Sequence, residues 1–168
     1  WSVNNRMSQL FVDSIEPKTS GGAVGISTPL FILHKPSGVQ SISNATGTVV
    51  TWGTADVDTH SVSDLANNRI VITAQTAGYW WFGCGLYYEA RATRMLLWIK
   101  KNGSTYAGFE HTHSSTGTAT YPTVFGSALI PVVSGDIITT ETYHNYGSAI
   151  NVTDGSSGSW FHGYRVSI

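Results

Sequence analysis

Residues 79–88, near the middle of the chain, read YWWFGCGLYY. Successive side chains of an extended strand point to opposite faces of its sheet. One face of this strand would carry Trp80, Phe82, Cys84, Leu86 and Tyr88, and the other would carry Tyr79, Trp81, Gly83, Gly85 and Tyr87. A strand with one solvent-exposed face alternates apolar with polar residues, and this one does not. The sequence therefore predicts a strand that is covered on both faces.

The second face of this strand needs a cover besides the core of its own sandwich. Exposed aromatic patches usually mark interaction surfaces, so we expect a partner subunit to provide it. Gly83 and Gly85 would let a partner backbone approach closely. The alternative is a cover from a loop or from the N-terminal helix of the same chain. The last strand is also apolar on both faces, and the predicted trimer-interface residues are Tyr79, Trp81, Gly83, Gly85, Tyr87, Phe161 and Tyr164.

Short runs rich in β-branched and aromatic residues flank this stretch and are separated by turn signals. They cover residues 30–33, 48–52, 69–73, 93–100, 105–113, 122–131, 136–146 and 159–168. Asn102-Gly103 is the strongest hairpin signal in the chain. No helical periodicity alternates with the strands, which argues against a parallel βαβ sheet. The pattern predicts an all-β, antiparallel jelly-roll sandwich of roughly eight to ten strands.

The first 29 residues differ from the rest of the chain. Apolar residues recur at spacings of three and four over residues 2–16, which predicts a short N-terminal amphipathic helix that Ser2 caps and Pro17 ends. Residues 17–29 are predicted to be a linker. We therefore expect a helix and linker over residues 1–29 and one jelly-roll domain over residues 30–168. Since the sequence begins with Trp1, we expect it to be a fragment or a processed product.

The composition limits the partners of the chain. Its 168 residues carry a net charge of −1 and only 11% are charged, so no long-range field attracts nucleic acid or anionic lipid. No apolar run reaches the length of a membrane span, and no signal peptide is recognisable. Cys84 is the single cysteine, so no intrachain disulfide can form and a buried, inert thiol is expected. We therefore expect neither nucleic-acid binding nor membrane insertion.

Four segments of the second half resemble, in order, the C1q-like domain. They are residues 77–82 (AGYWWF), 99–103 (IKKNG), 129–136 (LIPVVSGD) and 159–164 (SWFHGY). The first segment departs from the family in having Trp80 where a Tyr is usual. The resemblance implies a C1q/TNF-like jelly roll, a homotrimer, and ligand binding through exposed loops. It carries over no catalytic residues.

Other segments are similar to those of tailed-phage proteins. Residues 52–60 (WGTADVDTH) and 67–70 (NNRI) resemble C1q-like domains associated with phage tails, and residues 3–7 (VNNRM) resemble short helices of phage fibre proteins. This resemblance implies an extracellular virion protein, either a tail or head fibre or a decoration protein. Its partners would be other virion proteins and a host surface glycan or receptor. The alternatives are a secreted C1q-like ligand-binding protein and a purely structural virion protein with no receptor.

Candidate ligand contacts lie in three loops, residues 53–67, 114–121 and 145–159. Tyr121, Tyr143 and Tyr146, in or near these loops, could stack on sugar rings, although core packing explains them equally well. No nucleophile elbow, zinc-protease motif or phosphate-binding glycine loop occurs. We therefore expect a protein that is not an enzyme and needs no cofactor.

The pair His111 and His113 is the most specific motif for a metal ion. Two residues apart in a strand, the imidazoles would share a face. Three copies around an axis would then offer six nitrogens, and imidazole suits iron, nickel or zinc. The alternative is a pair of surface histidines beside a loop rich in Ser, Thr and Gly. Asp56 and Asp58 could ligate calcium, but a polar turn with carboxylates capping backbone amides explains them as well.

Overall fold

The computed structural model describes residues 28–35, 38–118, 121–153 and 158–167. The predicted helix over residues 2–16 lies outside these ranges. The described residues form fifteen strands and one 3₁₀ turn, Leu65–Asn67. The strands are β1 (Leu30–His34), β2 (Gln40–Ile42), β3 (Thr48–Val49), β4 (Thr54–Asp58), β5 (Ser63–Asp64), β6 (Arg69–Val71), β7 (Gly78–Tyr87), β8 (Ala90–Arg91), β9 (Arg94–Lys101), β10 (Ser104–Thr112), β11 (Gly117–Thr118), β12 (Thr123–Val132), β13 (Ile137–His144), β14 (Ile150–Val152) and β15 (Trp160–Ser167).

Two large antiparallel sheets contain most of these strands. The first sheet has the order β12-β7-β15-β1-β4, and the second has the order β10-β9-β13-β6-β5, with β3 also paired to β13. Two short two-stranded pairs, β11-β8 and β14-β2, complete the described sheets. Strands distant in sequence are neighbours, as β15 lies between β1 and β7. This architecture confirms the predicted antiparallel jelly-roll sandwich.

The inward face of β7 lies in the core. Trp80, Phe82, Cys84 and Leu86 are fully buried there, as the alternation predicts, and Tyr88 is buried just beyond the strand. Other members of the same core cluster are Phe31, Trp52, Met95, Leu97, Ile99, Ile138 and Phe161. Full burial of one large apolar side chain contributes about 1.5–3 kcal/mol, so packing can hold this fold without a disulfide. Burial also raises the pKa of the Cys84 thiol, which keeps it protonated.

A glycine in β15 lets aromatic rings from its two neighbouring strands meet. Gly163 pairs with Phe31 of β1 on one side and with Phe82 of β7 on the other. A Cβ at this position would lie 2.8 Å from ring carbons of both side chains. The missing side chain is therefore what allows the two rings to approach, with centroids 6.1 Å apart.

The hairpin between β9 and β10 turns at Asn102 and Gly103, as predicted. Both residues have positive φ, 52° and 79°, which is the backbone that an Asn-Gly pair adopts readily. The Asn102 side chain donates to Asp136 Oδ1 at 2.7 Å and accepts from the N–H of Ile137 at 2.8 Å. The turn is therefore hydrogen-bonded to the start of β13.

His144 and Tyr88 are polar side chains in the core, and both are hydrogen-bonded. His144 is fully buried; its Nε2 lies 2.9 Å from the carbonyl oxygen of Ile42, and its Nδ1 accepts the N–H of Tyr146 at 3.2 Å. The Tyr88 hydroxyl bonds to Thr142, whose own hydroxyl donates to a backbone carbonyl. A carbonyl can only accept, so His144 carries its proton on Nε2 and is a neutral ring.

Candidate functional site

The outer face of the first sheet carries large apolar side chains that a single chain leaves exposed. They come from β12, β7 and β15, and we call them the apolar face: Tyr79, Trp81, Phe125, Leu129 and Tyr164. Leu129 and Tyr164 are the direct cross-strand neighbours of Trp81, so these three form a continuous row. Phe125 is the most exposed member, at 68%. The structure thus brings Tyr79, Trp81 and Tyr164 together on one surface.

Gly83 and Gly85 are covered by side chains of the same chain. A Cβ on Gly83 would lie 2.6 Å from His162 Nε2, and one on Gly85 would lie 2.7 Å from the Trp160 ring. The two rings stack on each other, with centroids 4.8 Å apart and an interplanar angle of 6°. The expectation that these glycines admit a partner backbone is corrected here, because rings from β15 already fill the space.

Phe161 is corrected as well, because it lies in the core and not on the outer face. It is 1% exposed, and its ring packs edge-on against Phe31 at a centroid distance of 4.9 Å. Alternation along β15 places Phe161 and Gly163 inward and Trp160, His162 and Tyr164 outward. An interface on the outer face cannot include a side chain from the inward set.

The three candidate ligand-binding tyrosines occupy separate places. Tyr121 stacks on Tyr87 at 5.4 Å, at the edge of the first sheet. Tyr143 lies on the second sheet, where its ring is 6.2 Å from that of Trp98. Tyr146 packs against the hydrophobic core. The structure therefore does not assemble these tyrosines into one sugar-binding surface.

The rings of His111 and His113 lie side by side, with centroids 4.2 Å apart, as their spacing in a strand predicts. His111 Nδ1 is 2.8 Å from the carbonyl oxygen of Thr123 in β12. His113 Nε2 is buried and has no hydrogen-bond partner in the described residues. Burial lowers the pKa of His113, and the nearby His111 and Arg91 lower it further. A cleft of about 250 Å³ opens beside His111, lined by Glu110, His111, Thr123, Val124 and Phe125.

Asp56 and Asp58 lie in β4, and Asp64 lies in β5. Asp58 accepts the backbone N–H groups of Val62 and Ser63 at 2.9 and 2.8 Å. Asp64 pairs with Arg69 Nε at 2.8 Å, and Asp56 pairs with His34 at 3.1 Å. Across residues 28–35, 38–118, 121–153 and 158–167, no group of three or more His, Cys, Asp or Glu side chains converges on a common point. The capping explanation of Asp58 therefore fits the geometry better than a calcium site.

Two members of the apolar face were missed by sequence reasoning. The sequence predicts a strand over residues 122–131 without assigning its side chains to a face. Phe125 and Leu129 lie four apart and share the outer face with Ser127, while Val124 and Ile130 point into the core. The signal was the same as in residues 79–88, apolar residues at both odd and even positions.

No protein-family model matches the chain, and no curated protein matches it. No helix in the described part of the chain is long and apolar enough to cross a membrane. Several solved structures are similar in fold. The TNF protein Eiger from S. frugiperda aligns with a TM-score of 0.67 and 11% identity, covering 83% of this chain and 93% of that one.

Two further structures extend the likeness. The globular domain of zebrafish complement 1qA gives a TM-score of 0.61 at 14% identity, over 82% of this chain and 97% of its own. Murine APRIL gives 0.65 at 11% identity, over 83% of this chain and 100% of its own. The TM-scores establish a shared fold, and sequence identities this low carry no information about a shared function. The chain therefore has the jelly-roll fold shared by TNF and C1q globular domains.

Proposed function

We propose that this chain is a non-enzymatic binding module that assembles into a homotrimer through the apolar face of the first sheet. The row of Leu129, Trp81 and Tyr164 carries this proposal, because it leaves large apolar side chains in water on a lone chain. A half-exposed aromatic side chain can bury roughly half of its 150–250 Å², so the four aromatics bring about 300–500 Å². That is a large part of the roughly 800 Å² per partner in a standard interface.

The apolar face is one continuous patch, which can meet either its own copy or a different patch of a neighbouring chain. Phe125 is exposed on β12, one of the two edge strands of the first sheet, whereas Trp81 and Tyr164 lie on interior strands. A contact between two different patches is heterologous, and it either closes into a ring or grows into a filament. The resemblance of residues 159–164 to C1q-like domains supports three copies as the closed form.

In this proposal the trimer is a virion attachment protein that contacts a host surface glycan or receptor. The support is the resemblance of residues 52–60 and 67–70 to phage tail-associated domains. Three equal sites on one rigid body convert weak contacts into firm attachment. A secreted ligand-binding protein is the second candidate, favoured by the fold likeness to animal TNF and C1q domains. Mass spectrometry of purified virions, with the copy number per particle, separates the two.

We expect the protein to bind its ligand without catalysing a reaction on it. The described histidine nitrogens at His111 and His144 bond to backbone carbonyls, and His34 pairs with Asp56. We expect the purified protein to leave host polysaccharides and esters intact over long incubation. Hydrolysis that is abolished by a single Asp, Glu or His substitution would contradict this expectation.

Light scattering tests the assembly directly. The unmodified protein should have three times the 18.1 kDa mass of the chain. Trp81→Glu should give a folded monomer, because a charge buried unpaired in the interface costs far more than one left in water. Val49→Glu is the matched control, since Val49 is an exposed apolar residue of β3 in the second sheet. Circular dichroism confirms that each variant folds, and a monomeric unmodified protein would overturn the proposal.

A further inference from the structure

We propose that His111 and His113 of one chain together bind one divalent transition-metal ion of the Zn²⁺, Ni²⁺ or Cu²⁺ class at the open edge between β10 and β12. The site belongs to a single chain and does not require the trimer. Its ligands are two imidazole nitrogens, and water completes the coordination. Imidazole is a ligand that these three ions share.

The hydrogen bond of His111 prepares that ring for a metal. Its Nδ1 lies 2.8 Å from the carbonyl oxygen of Thr123, and a carbonyl can only accept. The proton of the neutral ring therefore sits on Nδ1, which leaves the lone pair on Nε2 free to ligate. Histidines that bind metals usually donate their other ring N–H to a carboxylate or a backbone carbonyl in this way.

The neighbouring ring, that of His113, has a nitrogen without a hydrogen-bond partner among the residues that the structure describes. His113 Nε2 is buried and has no hydrogen-bond partner in the described part of the chain. Buried polar atoms are nearly always satisfied, and each exception calls for a specific reason. A metal ion bound to this nitrogen would be such a reason, because the metal–nitrogen bond takes the place of the missing hydrogen bond.

The spacing and surroundings of the two rings fit a shared ion. With centroids 4.2 Å apart, the two rings are close enough for one ion to contact a nitrogen of each at the metal–nitrogen distance of about 2.0–2.1 Å. The adjacent cleft of about 250 Å³ has room for the waters that complete the shell. Arg91 is the nearby cation, and its guanidinium is bonded to the backbone oxygen and the hydroxyl of Ser115. Glu110, on the cleft wall, pairs with Arg94.

Equilibrium dialysis of the chelator-stripped protein against Zn²⁺ or Cu²⁺, followed by elemental analysis, tests the site. We expect one ion per chain, and the electron paramagnetic resonance spectrum of bound Cu²⁺ should show two nitrogen ligands. His111→Ala and His113→Ala should each lose the ion. His60→Ala is the matched control, because His60 is a partly exposed histidine that bonds to Thr59 elsewhere on the surface.

The result of the metal-binding test does not depend on whether the protein forms a trimer. Light scattering of the same samples reports the trimer independently, and circular dichroism confirms that each variant folds. Loss of the ion in both variants, with their mass unchanged, supports the proposal. Retention of the ion in either variant, one ion per three chains, or no bound ion overturns it.

Discussion

A single buried histidine links the stability of the core to pH. Burial lowers the pKa of His144, and its hydrogen bond to Ile42 opposes this only in part. The neutral ring uses both nitrogens, because Nε2 donates to Ile42 and Nδ1 accepts from Tyr146. Protonation would remove the acceptor and place a charge in the core. The folded state therefore selects the neutral form.

Because the folded state favours neutral His144, the stability of the protein should decrease as the pH falls. A histidine whose folded pKa lies below the unfolded value of about 6.5 contributes stability above that pH, and the contribution is lost as the pH falls from there through the folded pKa. We expect the melting temperature to fall between pH 7.5 and pH 5.5. His144→Gln should show a smaller fall over this range, although its stability at pH 7.5 is lower. His60→Gln, at a surface hydrogen bond, should keep the full dependence; equal falls for both variants would contradict the assignment.

At the scale of elements, the β9–β10 hairpin depends on the side chain of Asn102. Asn102→Ala loses two hydrogen bonds and places alanine at a φ of 52°. Losses of this kind cost about 1–3 kcal/mol, and each kcal/mol lowers the melting temperature of a chain this size by roughly 2–4 °C. Asn102→Gly keeps the backbone relaxed and isolates the hydrogen bonds, so its loss should be smaller.

Calorimetric melting of the three proteins measures this difference. Ser104→Ala is the control, because Ser104 is an exposed residue of the same hairpin. An Asn102→Ala variant that melts with the unmodified protein would show that the turn needs neither the side chain nor its tolerance of positive φ.

For the whole molecule, the assembly should be insensitive to salt. Its proposed interface is apolar, and only 11% of the residues are charged. Ionic strength screens exposed charges, with a Debye length of about 3 Å at 1 M salt, but it does not weaken apolar burial. We expect the light-scattering mass to be the same at low salt and in about 1 M NaCl. Dissociation at high salt would mean that ion pairs hold the subunits together.

The side chains that share a face of each strand could be predicted from the sequence alone. Side-chain direction alternates with period two along any extended backbone, so residues 79–88 were enough to group Trp80, Phe82, Cys84 and Leu86 on one face. The positive-φ demand of a tight turn placed the hairpin at Asn102-Gly103 in the same local way. Strand alternation and turn propensity both depend only on residues that are close together in the sequence.

What covers each face depends on how distant strands pair, which no local pattern shows. The sequence could not show that Trp160 and His162 fill the space above Gly85 and Gly83, because that depends on β15 pairing with β7 in one register. It assigned Phe161 to the interface because it left open which face of β15 points inward. Pairing between strands whose partners lie 75 to 88 residues apart is set by the packing of the whole core, and no local period encodes it.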